Sequence, residues 1–144
     1  LGAEGGGAKA LYLEQPKRLS SFERPAPGLP LIRMDGKAVY NFAVKSISVL
    51  VERIIHASMY RLEDFAWIVP HQANARIVQA AAKRLGLPES RFYLNIDEYA
   101  NTSAASSPLA LAEMQDKGLL EKGQLVMLGG FGAGLTYGAN VIRW

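Results

Sequence analysis

The chain has no cysteine among its 144 residues, which excludes a disulfide framework and a metal site built on thiolates. It also lacks any apolar run near the ~20 residues that a membrane-spanning helix needs, so we expect no membrane partner. The excess of positive over negative charge is small as well. The 16 lysines and arginines against 13 acidic residues leave a formal charge of +3, which argues against nucleic-acid binding by bulk charge.

The overall amino-acid composition is that of a folded domain. Hydrophobic residues make up 49% and charged residues 20% of the chain, as in ordinary globular proteins. At this length the chain forms one domain with a substantial core. It begins with "LGAEGGGAKALYL", with neither an initiator methionine nor a signal-peptide pattern. We therefore expect a part of a longer cytoplasmic protein.

Hydrophobic periodicity predicts alternating strands and helices. The predicted strands cover residues 8–13, 66–70 and 92–96, with two more around a glycine-rich turn in 124–144. The predicted helices cover residues 36–59 and 72–85, with a third that starts at about residue 101 and ends at 117–118. Residues 14–35 contain four prolines and predict an irregular connection. This alternation indicates an α/β fold, with a mostly parallel sheet flanked by helices and the site at the carboxyl ends of strands.

Three stretches fall at the predicted strand ends. His71 follows "WIVP", Asn101 follows "YLNIDEYA", and "GGFGAG" (129–134) follows "QLVML". A histidine offers a ring N–H and an asparagine two N–H donors that never ionise. A glycine-rich turn lets backbone N–H groups approach a reacting oxygen. Together they could hold an enolate or a tetrahedral oxyanion.

Each stretch alone has an ordinary interpretation. A single histidine after a strand is more often a satisfied structural residue. "NTS" is also a glycosylation sequon, and the glycine-rich turn could be a plain hairpin. It is not a dinucleotide fingerprint, because leucine stands where the last glycine of G-x-G-x-x-G should fall.

In combination and in this order, "VPHQAN", "ANTSAAS" and "GGFGAGLTYGA" resemble the β-ketoacyl-acyl carrier protein synthase III family, and the resemblance covers essentially the whole chain. The "MDGKAVYNFAV" stretch is similar to a helix start of the same family. The family's fold is thiolase-like, with two α/β halves in a layered αβαβα arrangement. The resemblance implies that residues 1–144 are the C-terminal domain. The N-terminal half, which carries the nucleophilic cysteine in the family, would be absent from this chain.

The resemblance also implies a function, which is the decarboxylating condensation of an acyl-CoA primer, such as acetyl-CoA, with malonyl-acyl carrier protein. His71 and Asn101 would be the catalytic partners of the missing cysteine. The oxyanion loop would comprise Phe131, Gly132, Ala133 and Gly134, with Phe131 as an aromatic wall and Ala133 as an N–H donor. No metal is implied and no cofactor, apart from the coenzyme A thioester as substrate. Two positions depart from the family pattern, since Ala100 stands where glycine is usual and Tyr40 where phenylalanine is usual.

Two further groups of residues follow from the resemblance. The channel for CoA and pantetheine would be walled by Gly36, Tyr40, Ala43, Asn74 and Ile77, although Tyr40 and Ile77 could be plain core residues. The acidic carrier protein would dock on Arg76, Lys83 and Arg84, which could equally be an ordinary solvated helix face. The expected partners are thus the N-terminal half, the carrier protein, acyl-CoA and a second copy in a homodimer.

Two other functions fit the same residues. One is a non-catalytic partner subunit that binds carrier protein or supports another subunit. The other is a related acyltransferase of secondary metabolism, which would keep the site but use a different acceptor. A cysteine at a strand-to-helix turn upstream of this sequence, and a β-ketoacyl product, would distinguish the condensing enzyme from both.

Overall fold

A computed structural model describes residues 1–14 and 31–144. The helices are α1 (Gly36–Ala57), α2 (Ala75–Leu85), α3 (Ile96–Tyr99) and α4 (Ser106–Asp116). The strands are β1 (Gly2–Ala3), β2 (Leu11–Glu14), β3 (Leu31–Met34), β4 (Phe65–Pro70), β5 (Leu125–Gly132) and β6 (Thr136–Arg143). Turns of 3-10 helix lie at Gly5–Ala10, Leu62–Asp64, Glu89–Arg91 and Ser103–Ala105.

Capping side chains mark the starts of α1 and α2, and a glycine marks the end of α2. The Asp35 side chain accepts a hydrogen bond from the Ala38 N–H at 3.0 Å and caps α1. Asn74 caps α2 in the same way through the Arg76 N–H at 2.9 Å. Gly86 ends α2 with φ +67°, and its N–H bonds to the carbonyl of Lys83.

One four-stranded sheet forms the centre, in the order β1-β6-β5-β4. β4 and β5 are parallel, whereas β5–β6 and β6–β1 are antiparallel. The α/β fold with a mixed sheet and flanking helices is therefore confirmed, but the expectation of mostly parallel pairing is wrong. The β5–β6 hairpin is the reason, because a short turn can join only antiparallel strands.

Helices cover both faces of this sheet, and successive side chains of β5 point to opposite faces. Leu125 and Met127 pack with α1 and α2, while Val126 packs with α4. Burial of each such side chain stabilises the fold by about 1.5–3 kcal/mol. The two apolar clusters thereby fix β4 and β5, whose carboxyl-terminal ends position the site.

The N-terminal segment differs from its prediction. Residues 5–10 form a 3-10 turn, and the strand comprises Leu11–Glu14 in place of residues 8–13. The part of the predicted connection at Leu31–Met34 is also a strand, paired antiparallel with Leu11–Glu14 in a separate two-stranded sheet. Residues 15–30 of that connection lie outside the described residues.

Two predicted elements in the second half also differ. Residues 92–96 form no regular strand. Phe92 makes a single parallel bridge to Ile68, and the chain then enters α3 at Ile96. The helix predicted from residue 101 begins at Ser106, after a 3-10 turn.

Candidate active site

A cavity of about 1290 Å³ lies at the carboxyl-terminal end of β4. Its wall includes His71, Asn101, the end of β5 and the β5–β6 turn. Three helices also begin at this wall, because Gly36 starts α1, Asn74 caps α2 and Ser106 starts α4. The three stretches singled out in the sequence therefore meet around one space.

His71 is half-buried in this wall and held on two sides. Its backbone N–H donates to the Gly129 carbonyl at 2.7 Å, which continues the β4–β5 pairing by one residue. The ring Nδ1 lies 2.6 Å from the hydroxyl oxygen of Ser106. Phe131 meets the imidazole edge-on, with ring centroids 5.3 Å apart. Burial lowers the pKa of His71 below its ordinary value of 6.5, so the ring is neutral near pH 7.

Asn101 sits on an exposed turn at the other side of the cavity. Its Oδ1 accepts a hydrogen bond from the backbone N–H of Ser103 at 3.0 Å. Because a backbone N–H can only donate, this bond identifies the oxygen of the amide and leaves the NH₂ group for a ligand. Ala100 and Ser103 flank the residue with φ values of +56° each. The place where the family usually has glycine is thus a left-handed backbone position.

The glycine-rich turn contributes Phe131, Gly132 and Ala133 to the wall. The Thr136 hydroxyl donates to the Ala133 carbonyl at 3.0 Å and fixes the orientation of that peptide group. Gly134 comes next, with φ +131°, but is not part of the lining. A Cβ added there would lie 2.6 Å from the Thr136 methyl group, so the turn requires glycine at this position.

Four of the five predicted channel residues line the cavity, namely Gly36, Tyr40, Asn74 and Ile77. The Tyr40 hydroxyl lies 3.4 Å from the Arg76 carbonyl oxygen, which places it between α1 and α2. Ala43 does not reach the cavity. It is fully buried in the core formed by α1, α2 and the sheet, because it lies on the face of α1 turned towards that core. The prediction for Ala43 as a channel wall is wrong.

The three predicted basic residues are all exposed on α2. Arg76 lies two residues after Asn74 and directly before Ile77, both of which line the cavity. Lys83 and Arg84 lie in the last turn of the helix. Within residues 1–14 and 31–144 none of the three forms an ion pair, so the charges face solvent.

Sequence reasoning missed two side chains that hold the His71 loop. Gln72 is buried, and its amide donates to the Pro70 and Tyr93 carbonyls while accepting from the Asn95 N–H, at 2.8, 3.1 and 3.1 Å. Ser106 is also buried and touches His71 across 35 positions of sequence. No local signal marks Gln72, because His71 and Asn74 beside it are polar as well.

The cavity wall carries little charge. None of its lining residues, all in the described part of the chain, is Asp, Glu, Lys or Arg. The N-termini of three helices supply partial positive charge at the wall instead. The described residues contain no group of three side chains that could hold a metal ion, and none of their helices is long and apolar enough to cross a membrane.

A second hollow, of about 530 Å³, lies at the opposite end of the sheet near Phe65 and Leu125. Arg91 in its wall donates to the Leu62 and Phe65 carbonyls, and Arg143 donates to the Gly123 carbonyl. These cations tie loops together, and none of the predicted site residues lies there. The candidate active site is therefore the cavity at His71.

Comparison with solved structures defines the class of protein as thiolase-like. The chain superimposes on the β-ketoacyl-acyl carrier protein synthase III of Thermus thermophilus with a TM-score of 0.83 and 42% sequence identity. The match covers 99% of this chain and 44% of that one.

Residues 55–144 match the family model for the C-terminal part of 3-oxoacyl-[acyl-carrier-protein] synthase III. The chain is 53% identical over 113 residues to the β-ketoacyl-acyl carrier protein synthase III of Clostridium tetani, covering 78% of this chain and 34% of the relative. It is 41% identical over 145 residues to that of Clostridium acetobutylicum, covering 100% and 45%. The chain belongs to the 3-oxoacyl-acyl carrier protein synthase III family, and it spans less than half the length of these relatives.

Proposed function

We propose that this chain is the C-terminal domain of a condensing acyltransferase and supplies the His and Asn of a Cys–His–Asn site. The reaction joins an acyl-CoA primer, acetyl-CoA in the simplest case, to malonyl-acyl carrier protein and starts fatty-acid synthesis. The observation that carries the proposal is that His71 and Asn101 line one cavity. The Nδ1 of His71 and the Oδ1 of Asn101 are already hydrogen-bonded to other residues of the protein. Asn101 is left with its NH₂ group and His71 with its Nε2 to offer to the same ligand.

In the first half-reaction the cysteine of the N-terminal half attacks the thioester carbon of acyl-CoA. A carbon–sulfur bond forms to the enzyme, and the coenzyme A thiol leaves. The partial positive charge of the helix N-termini at this cavity favours the attacking thiolate. When the acyl-cysteine is attacked in the later condensation, its oxyanion would be held by backbone N–H groups, one of them from Ala133.

In the second half-reaction His71 and Asn101 donate hydrogen bonds to the thioester oxygen of malonyl-carrier protein. The bond to the carboxylate breaks, CO₂ leaves, and its electron pair develops as negative charge on that oxygen, where two fixed donors stabilise it. Phe131 and the uncharged wall offer the malonyl carboxylate no cationic partner, which favours its loss. The resulting carbon nucleophile attacks the acyl-cysteine and releases the thiolate.

Arg76, Lys83 and Arg84 are proposed to dock the acidic carrier protein. Arg76 lies on α2 between the lining residues Asn74 and Ile77, and a pantetheine arm would enter past these two residues and Gly36 and Tyr40. Exposed charges of this kind steer encounter more than they add affinity, and their effect weakens with salt. The cytoplasmic location and the homodimer are part of the same proposal.

The experiment uses the complete two-half enzyme and separates the two half-reactions. Asn101→Ala should lower the rate of condensation and of malonyl decarboxylation on the order of 100-fold or more. Acylation of the cysteine by radiolabelled acetyl-CoA should stay near wild type, because this donor serves the malonyl oxygen. His71→Ala should lower decarboxylation by a similar factor.

The matched control is Asn41→Ala, which removes an exposed asparagine on α1 outside the cavity wall. It should leave both half-reactions unchanged. Equal losses from Asn41→Ala and Asn101→Ala would contradict the assigned role. An intact cysteine that acylates without giving any β-ketoacyl product would favour the acyltransferase of secondary metabolism, and failure to acylate would favour the non-catalytic partner.

A further inference from the structure

The hydroxyl of Ser106 has three features that bear on the histidine. It is buried at the first residue of α4. It lies 2.6 Å from His71 Nδ1 and 3.2 Å from the backbone nitrogen of Gln72. It therefore bridges the ring and the main chain of the loop that carries the ring.

The backbone contact and the burial of the hydroxyl together indicate the direction of the bond to His71. A backbone N–H can only donate, so Ser106 Oγ must accept from Gln72. The hydroxyl has a single proton, and within the described residues its only other hydrogen-bond partner is His71 Nδ1. The oxygen has a second lone pair and could accept from Nδ1 as well, but the buried O–H would then have no acceptor within the described residues. Donation of the hydroxyl proton to Nδ1 satisfies both groups.

A neutral imidazole that accepts at Nδ1 carries its proton on Nε2. We propose that Ser106 is a positioning residue that holds His71 as the Nε2–H tautomer, so that the ring presents a donor and not a lone pair to the cavity. This inference rests on the proposed function for its catalytic consequence, whereas the tautomer itself is independent of that function.

The surrounding contacts separate this role from a purely structural one. Gln72 anchors the loop through three hydrogen bonds that do not involve Ser106, and His71 N–H is bonded to Gly129. Loss of the Ser106 hydroxyl therefore leaves the backbone of the loop anchored. The imidazole, by contrast, loses the partner that selects between its two tautomers. Burial of the ring lowers its pKa, which keeps it in the neutral form to which the choice of tautomer applies.

The test is ¹⁵N NMR of the complete enzyme labelled at histidine, with the His71 resonances identified by their loss in His71→Gln. In the wild type near neutral pH we expect the shifts of a protonated Nε2 and an unprotonated Nδ1. Ser106→Ala should move the His71 shifts towards the other tautomer and lower kcat for decarboxylation about 10- to 100-fold, by analogy with the loss of an outer hydrogen-bond partner of a metal-binding histidine. KM should change little, and Ser106→Thr, which keeps a hydroxyl, should restore both signals.

Ser48→Ala is the control for loss of a buried hydroxyl. Ser48 is fully buried in α1, and its hydroxyl donates to the Val44 carbonyl of its own helix. It should lower the melting temperature without moving the His71 shifts.

A wild-type spectrum with the proton on Nδ1 would overturn the proposal, and this measurement needs no variant of Ser106 to fold. Unchanged His71 shifts in folded Ser106→Ala would also overturn it. A shifted tautomer with no loss of decarboxylation would leave the positioning intact and count against the proposed function.

Discussion

His71 and Asn101 reach the same cavity from loops that hold them by different means. The His71 loop is fixed by buried side chains, since Ser106 contacts the ring and Gln72 ties the loop to Tyr93 and Asn95. The Asn101 loop is exposed and is fixed by its backbone, which passes through a left-handed residue on either side. In both loops one side-chain atom, Nδ1 of His71 or Oδ1 of Asn101, is already hydrogen-bonded to the protein. The comparison shows that one donor depends on packing and the other on backbone conformation.

The largest effect is expected from breaking the side-chain support of the His71 loop. Gln72→Ala leaves the carbonyls of Pro70 and Tyr93 and the N–H of Asn95 without their partner in a buried region. Because each buried polar group left unpaired costs about 1–3 kcal/mol, we expect the free energy of unfolding to fall by about 3 kcal/mol or more. Urea unfolding of the complete enzyme measures this change.

The control for Gln72→Ala is Gln79→Ala. Gln79 is exposed on α2, and its amide reaches Glu89 at 3.4 Å in solvent. This substitution should change stability by less than about 0.5 kcal/mol. Similar effects of the two substitutions would show that the buried amide does not hold the loop.

A smaller effect of opposite sign is expected on the Asn101 side. Ala100 has φ +56° and ψ −163°, close to a region that only glycine commonly occupies and that costs other residues about 1–3 kcal/mol. Glycine would remove this strain but lose about 0.4–1 kcal/mol through the greater freedom of the unfolded chain. We therefore expect Ala100→Gly to stabilise the enzyme by about 1 kcal/mol, measured by urea unfolding.

Ala112→Gly provides the matched comparison. Ala112 is exposed within α4, where glycine should destabilise by about 1 kcal/mol. If Ala100→Gly destabilises as Ala112→Gly does, the left-handed backbone at Ala100 is not strained, and the contrast between the two loops is lost.

The same contrast explains which parts of the fold and site were predictable from sequence. The apolar stripe of α1 and the short apolar run of β4 are local sequence patterns, so the positions of both elements could be predicted. The sheet pairing of Leu31–Met34 depends on Leu11–Glu14 across the chain, and local patterns carry no information about such a partner. Residues 92–96 look like a strand, but the Asn95 N–H bonds to the Gln72 side chain and not to a neighbouring strand.

The candidate site also contains residues that could be predicted from the sequence and residues that could not. His71 and Asn101 stood out because motifs of a known family contain them. Nothing near Ser106 in the sequence distinguishes it from Ser107 or Ser103, because its contact is with a residue 35 positions away. Ala43 shows the opposite error, since a position transferred by resemblance lies in the core. Motifs predicted the donors, while three-dimensional packing determines what orients them.

The smallest expected effect is a pH dependence of stability that comes from the His71 side alone. Burial lowers the folded-state pKa of His71 below 6.5, so the unfolded chain takes up a proton more readily than the folded one. The stability that results is present above about pH 6.5 and is lost as the pH falls towards the folded-state pKa. Among the described residues, the groups that face the ring are Ser106 from α4 and Phe131 from β5, and their cavity lining has no Asp, Glu, Lys or Arg. The measurement compares urea midpoints of the wild type and His71→Asn between about pH 7.5 and about pH 5, where the difference should shrink as the pH falls. All groups other than residue 71 are common to the two proteins, so the comparison isolates His71. A difference that grows towards low pH would mean that the folded protein stabilises the charged ring, which would contradict a neutral donor held by packing.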